Sequence, residues 1–281
     1  MNRIPENTSP DSSSSAEDTG GASTPGGPIG LIPAAGYALR LPDLGGSKEV
    51  APILGTGEPA IGFALKAMAK AGVRDVVIVL RPEKQDIREV LRDGRSWGVR
   101  THYIETGPTQ GPAETIDKAY DQVRGKEVAL AFPDILMETD DPYTPLLGSL
   151  RAGKAQGVLG LFPRSPHQAA DPVLMTSEGA VTAVLPKAAL PKGERTPQAA
   201  DWCWGTAVWS SELTEFIHRR IAKGIDLQAD ADWSLGQLLT DALAAGVPIA
   251  ALPVADAPFL DIGTPEGLYW ANQGRQSPPP I

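Results

Sequence analysis

Five consecutive aliphatic residues, Val76-Val77-Ile78-Val79-Leu80, carry no polar side chain among them. A strand with one wet face alternates apolar and polar residues. An unbroken run marks a strand covered on both faces, as in a parallel sheet flanked by helices. The run has companions: Ile29-Gly30-Leu31-Ile32 before it and Val128–Phe132 after it. Residues 99–104 read as a further strand. Between these strands the period changes to that of a helix, with Ile61, Ala64, Leu65 and Met68, then Ile87, Val90 and Leu91, then Ile116, Ala119, Tyr120 and Val123. Strand and helix in strict alternation predict an α/β fold, a doubly wound and predominantly parallel central sheet.

Beyond residue 150 the rhythm loosens. Strands are expected at 157–162, 204–209 and 249–254, with a hairpin over 173–176 and 180–185 turning at Ser177-Glu178-Gly179. Helices are expected near 211–222 and 233–245. Thr264-Pro265-Glu266 has the form of a helix start: a hydroxyl cap, a proline at the first position and an acid in the first turn. This half is read as a strand-and-lid region added to a nucleotide-binding core. Residues 1–27 are rich in Ser, Asp and Gly and almost free of large apolar side chains, so they read as a disordered tail. Residues 276–281, with Pro278-Pro279-Pro280, read as a flexible tail. That leaves 28–275 as one domain.

Composition removes several function classes. The 281 residues include 34 acids and 25 Lys or Arg, a formal charge of −9 with no basic block, which argues against a nucleic-acid partner. The single cysteine, Cys203, precludes an internal disulfide or a cysteine-rich metal site, and its place between Trp202 and Trp204 suggests an inert core thiol. No apolar run approaches the ~20 residues that span a bilayer, and no hydrophobic leader opens the chain. The expectation is a cytoplasmic protein without a membrane partner.

Three places carry chemistry. The first is the loop after the opening strand, Ala34-Ala35-Gly36-Tyr37-Ala38-Leu39-Arg40-Leu41, then Gly45-Gly46-Ser47-Lys48. Small residues there let the backbone approach a ligand, and Arg40 and Lys48 supply charge for a triphosphate. A tight turn with two surface cations has the same pattern. The second is Asp134, behind Val128–Phe132 and Pro133. An acid at the carboxyl end of a parallel strand lies on the ligand edge and suits Mg²⁺, although a helix N-cap is a common alternative. The third is Asp261, which likewise follows an apolar run. Two acids at strand ends beside a cationic loop suggest a metal–triphosphate site. Trp202 and Trp204 are candidates for stacking on a ring, against plain core packing. As a strand, the segment should put 202 and 204 on one face and 209 on the other. The three histidines, His102, His167 and His218, show no ligand spacing, and His218 reads as a surface residue.

Taken in order, these pieces resemble the sugar-1-phosphate nucleotidyltransferases, the glucose-1-phosphate thymidylyltransferase branch in particular. The resemblance rests on the loop 34–41, on Ser47-Lys48-Glu49 running into Ala51-Pro52-Ile53, and on Ala71-Gly72-Val73-Arg74-Asp75 before an apolar strand. It continues in Gly111-Pro112-Ala113-Glu114, in Phe132-Pro133-Asp134 and in Phe259-Leu260-Asp261-Ile262-Gly263-Thr264-Pro265. It spans residues 28–273 and implies a Rossmann-like nucleotidyltransferase fold. It also implies transfer of a nucleoside monophosphate from a triphosphate to a sugar-1-phosphate or cyclitol-1-phosphate, with release of pyrophosphate.

In that resemblance Arg40 and Lys48 are catalytic, and Ala34, Ala35, Gly36, Gly111 and Pro112 bind the nucleotide. Lys187, Gly205 and Trp204 lie on the sugar-phosphate side, and Asp134 and Asp261 hold Mg²⁺. Ala38 and Leu39 replace a glycine and a threonine of the family loop, and the glutamate expected beside Lys187 is absent. These departures motivate the alternative, a catalytically silent relative that binds sugar nucleotides or serves as a regulatory subunit. The base, the sugar and any homo-oligomer are left open.

Overall fold

The computed structural model describes residues 26–36, 45–53, 56–165, 170–186, 201–224 and 234–279. The expected N-terminal disorder falls almost wholly outside these residues, as do Arg40 and Lys187. The first half contains β1 (Ile29–Pro33), α1 (Ala60–Lys70), β2 (Asp75–Leu80), α2 (Gln85–Leu91), β3 (Arg100–Glu105), α3 (Pro112–Asp117), α4 (Tyr120–Val123), β4 (Val128–Leu130), β5 (Ile135–Leu136) and α5 (Tyr143–Arg151). The second contains β6 (Gly157–Pro163), β7 (Pro172–Met175), β8 (Val181–Val184), β9 (Trp202–Trp209), α6 (Ser211–Ala222), α7 (Leu235–Ala244), β10 (Ile249–Pro253), β11 (Leu260–Asp261) and α8 (Pro265–Asn272).

The central sheet runs β10-β6-β9-β4-β1-β2-β3. The β3–β2–β1–β4 ladders are parallel, as is β6–β10, whereas β9 is antiparallel to both β4 and β6. β7 pairs antiparallel with β9, and β8 with β7, so strand direction is predominantly shared across the nine strands, with β9 reversed where the halves join and β8 reversed at the edge. Alternate residues of β2 feed the two faces. Val77 and Val79 join one core with Leu31, Ile116 and Leu130, and Val76, Ile78 and Leu80 join another with Leu65 and Met68 under α1. Burial on both faces is the reason the run lacks polar residues.

Several details differ from the sequence pattern. The helical run 116–123 is split into α3 and α4. α5 stands where no element was expected. Its Tyr143, Leu146, Leu147 and Leu150 are buried at helical spacing, a signal masked by Pro145 and Gly148. The Tyr143 hydroxyl donates to Leu130 O at 3.0 Å, and full burial pushes its pKa up. In β9, Leu161 pairs with Trp204 and Gly160 with Thr206, so Gly205 is an extra residue in a bulge. The bulge breaks the alternation, and Trp204 and Trp209 share one core instead of taking opposite faces. Finally, the packed chain runs past 275: Ser277 is buried and its hydroxyl bonds the Glu138 carboxylate. Residues 280–281 lie outside the described set.

Candidate active site

Asp134 leaves the sheet just after β4 and leads straight into β5. That two-residue strand pairs antiparallel with β11, Leu136 against Leu260 and Ile135 against Asp261. Ile262 N–H extends the contact by donating to Asp134 O at 2.9 Å. This short ladder joins two acids that are far apart in sequence. α8 begins directly behind them. The Thr264 hydroxyl accepts from Gly267 N–H at 3.0 Å and donates to Asp261 O at 2.8 Å, so the cap fixes the Asp261 backbone as it starts the helix.

Lys48 joins the two acids from a 3-10 turn, Lys48–Val50, and its ammonium donates to Asp134 Oδ2. Gly263 marks the meeting point. A Cβ at that residue would stand 2.6 Å from Lys48 Nζ, 2.8 Å from Asp261 Oδ1 and 2.9 Å from Asp134 Oδ2. Only glycine leaves this space to the three charged groups. The two carboxylate oxygens are consequently within about 6 Å of each other, a span that oxygen contacts of ~2.1 Å to one or two Mg²⁺ ions bridge. Burial acts to lower the Lys48 pKa, but the charge and hydrogen bond of Asp134, aided by Glu49 and Asp261, raise it overall.

The donor set suits a hard cation. No group of three or more His, Cys, Asp or Glu with metal-binding spacing occurs among the described residues. Two carboxylates match Mg²⁺, which takes one or two protein carboxylates and completes its shell with phosphate oxygens and water.

Of the other candidates, Ala34 to Gly36 follow β1, Gly111 and Pro112 begin α3, and Trp204 and Gly205 lie inside β9. Ala34 and Ala35 are buried past β1, Ala34 N–H donating to Val79 O at 2.7 Å, and Gly36 is exposed with open space around it. Gly111 precedes α3 with φ 152°, a conformation that favours glycine, and Pro112 takes the first helical position. The Glu114 carboxylate accepts from Gln110 N–H at 2.8 Å and, with Lys118, this holds its pKa below the usual carboxylate range. Trp204 is 6% exposed, packed in the core with Leu130 and Leu235 and tilted against Phe132 at 5.6 Å. Gly205 lies under a ring: a Cβ there would come within 2.8 Å of Phe259. His218 is partly exposed but engaged, its Nδ1 2.8 Å from Asp117 Oδ1 and its ring stacked on Tyr120 at 3.7 Å. The Cys203 thiol is fully buried.

One set of polar residues has no signature in the sequence pattern. Lys84 Nζ donates to Glu49 Oε1 at 2.7 Å, a pair with side chains 9% and 2% exposed. Asp86 accepts from Ser47 N–H at 2.6 Å and from Ser47 Oγ–H at 2.7 Å. The only hint was Arg81-Pro82-Glu83-Lys84-Gln85-Asp86 itself, a dense charge run directly behind a buried strand.

The sequence profile of the nucleotidyl transferase family matches residues 29–277. A glucose-1-phosphate thymidylyltransferase of Mycolicibacterium smegmatis is 30% identical over 123 residues, 43% of this chain and 40% of that protein. The chain thus spans well under half the length of that curated relative. Two solved structures share the fold. A Bacillus anthracis protein assigned as a glucose-1-phosphate thymidylyltransferase, in complex with sucrose, superposes with a TM-score of 0.72 at 17% identity, covering 90% of this chain and 97% of that one. An apo UDP-glucose pyrophosphorylase gives 0.71 at 14% identity, covering 88% and 97%. The order of strands, the convergence at Gly263 and the profile over almost the whole described chain agree, and this protein belongs to the nucleotidyl transferase family.

Proposed function

We propose that this protein transfers a nucleoside monophosphate from a nucleoside triphosphate to a sugar-1-phosphate or cyclitol-1-phosphate. The products are an NDP-sugar, or its cyclitol counterpart, and pyrophosphate. The observation that carries the reading is the convergence of Lys48, Asp134 and Asp261 around the side-chain-free position of Gly263. A phosphate oxygen of the acceptor attacks the α-phosphorus in line, and the bond to the β-phosphate oxygen breaks. Such a transfer depends on positioning and charge neutralisation rather than on covalent chemistry by the protein.

Asp134 and Asp261 would hold Mg²⁺, which supplies charge neutralisation for the triphosphate when bound. Lys48 donates to the phosphoryl oxygens as negative charge moves toward the leaving pyrophosphate. Arg40 holds the β- and γ-phosphates. The backbone of Ala34, Ala35, Gly36 and Gly111, with Pro112 beside it, lines the nucleotide side. Lys187 meets the acceptor phosphate, and Trp204 and Gly205 support that side from within the sheet. No helix among the described residues is long and apolar enough to cross a membrane.

Pyrophosphate release from a panel of nucleoside triphosphates paired with sugar and cyclitol phosphates tests the proposal. One pair should turn over, and Asp134→Asn should cut that rate at least about a hundredfold while shifting Tm by no more than a few degrees. A large loss of Tm with turnover intact would make Asp134 a structural cap. No release from any pair would favour the silent binder.

A further inference from the structure

We propose that Asp86 and Lys84 are positioning residues for Lys48, holding its two neighbours, Ser47 and Glu49, from a single turn behind β2. The proposal rests on the catalytic role given to Lys48 above.

Left to itself, the turn Lys48–Val50 is weakly defined. Its backbone contributes two hydrogen bonds, Val50 N–H to Ser47 O at 3.1 Å and Ala51 N–H to Lys48 O at 3.3 Å. Three residues of 3-10 helix cannot aim a four-carbon side chain. Two side chains from elsewhere close the gap. On the near side, Asp86 grips Ser47 twice, once through the backbone N–H and once through the hydroxyl. Asp86 is itself fixed, because its Oδ1 also accepts Ile87 N–H at 3.0 Å in the first turn of α2. On the far side, Lys84 grips Glu49, and both are buried. Lys84 is in turn tied to the turn that leaves β2, its own N–H donating to O of Arg81, the residue after the strand, at 2.9 Å. Lys48 is therefore suspended between two anchors two residues apart on one rigid corner.

The chemistry of the far anchor supports a functional reading. A buried ion pair is costly to desolvate, and apolar residues of similar size commonly serve stability as well or better. Here the pair is kept, with Glu49 Oε2 buried and lacking a hydrogen-bond partner. The corner therefore specifies a position at some expense in stability, and the residue it positions is Lys48.

A positioning role predicts dependence on Lys48. Asp86→Ala should lower kcat by about ten- to a hundredfold with the triphosphate KM within about twofold, as expected for a reacting group displaced by about an ångström. In a Lys48→Ala background the same substitution should change kcat by less than about twofold, because there is no ammonium left to misplace. Losses that multiply instead would show that Asp86 acts elsewhere and would overturn the proposal. Lys84→Met should follow the same two rules. Lys84→Met combined with Glu49→Leu removes both charges, and covers the case in which the single variant leaves Glu49 unpaired and does not fold.

Amide hydrogen exchange supplies a readout without turnover. Residues 47–51 should exchange at least about tenfold faster in Asp86→Ala while β2 keeps its wild-type protection. Unchanged exchange at 47–51 would refute the anchoring. A wild type that releases no pyrophosphate would remove the proposed function, and exchange would still decide whether the corner holds Lys48.

Discussion

The two halves of the sheet are built on different rules. From β1 to β4 all the strands are parallel, and β2 is covered by helices on both faces. From β6 to β10 strand directions are mixed around the reversed strand β9, and that strand carries a bulge. The irregularity is used. Gly205, the bulged residue, lies under the Phe259 ring, and Phe259 stands two residues before Asp261. The regular half presents loops and Asp134, and the irregular half is shaped to bring Asp261 to them. The site lies where the two meet, along the β5–β11 ladder.

The largest expected effect tests whether that meeting point performs the chemistry. Lys48 is supplied by the regular half and contacts a carboxylate there. If its interaction strengthens as charge develops, Lys48→Ala should lower kcat/KM by two to three orders of magnitude, about 3–4 kcal/mol. Triphosphate binding, read by calorimetry, should weaken far less. Near wild-type turnover in the variant would remove Lys48 from the mechanism.

The next two substitutions set one half against the other. Leu65 is fully buried in the core beneath α1, within the regular half. Leu65→Ala should cost about 2–5 kcal/mol by denaturant titration, through lost contacts and a cavity, and leave kcat of the folded fraction unchanged. Gly205→Ala should cost less, about 1–3 kcal/mol, since a methyl 2.8 Å from Phe259 Cδ1 forces the ring aside. Its kcat should nevertheless fall, because Phe259 leads into β11. If Gly205→Ala lost stability with kcat intact, the bulge would serve packing alone.

Legibility in the sequence follows the same division. β1, β2 and β4 could be read because burial on both faces writes an unbroken apolar run. α6 could be read to its ends from Leu213, Phe216 and Ile217. β5 and β11 could not, since two residues carry no period and their pairing exists only after the halves have met. The two acids were visible as carboxylates behind apolar runs and were expected to share a site, as they do, but the short ladder that joins them was not legible. Glu49 with Lys84 and Ser47 with Asp86 could not be read as pairs, because partners 35 and 39 residues apart have no common local pattern. The β9 bulge was hidden for a different reason: a glycine among tryptophans reads as part of an ordinary strand until its partner strand shows the extra residue.

The smallest effect concerns Cys203, a native probe inside the irregular strand. Its thiol is fully buried, 3.6 Å from Phe162 O, and burial pushes its pKa up to about 12. Thiol reagents attack the thiolate, so at pH 8 the folded protein should react only through transient opening of the β6–β9 ladder. The labelling rate then tracks the population of the open form. Gly205→Ala strains that ladder directly, and its cost of about 1–3 kcal/mol should raise labelling by about five- to a hundredfold. Leu65→Ala acts from the far half, so where opening is local it should leave the Cys203 rate nearly unchanged despite its larger effect on global stability. Equal acceleration by both variants would mean that the halves open as one unit, and that their difference is one of construction and not of stability.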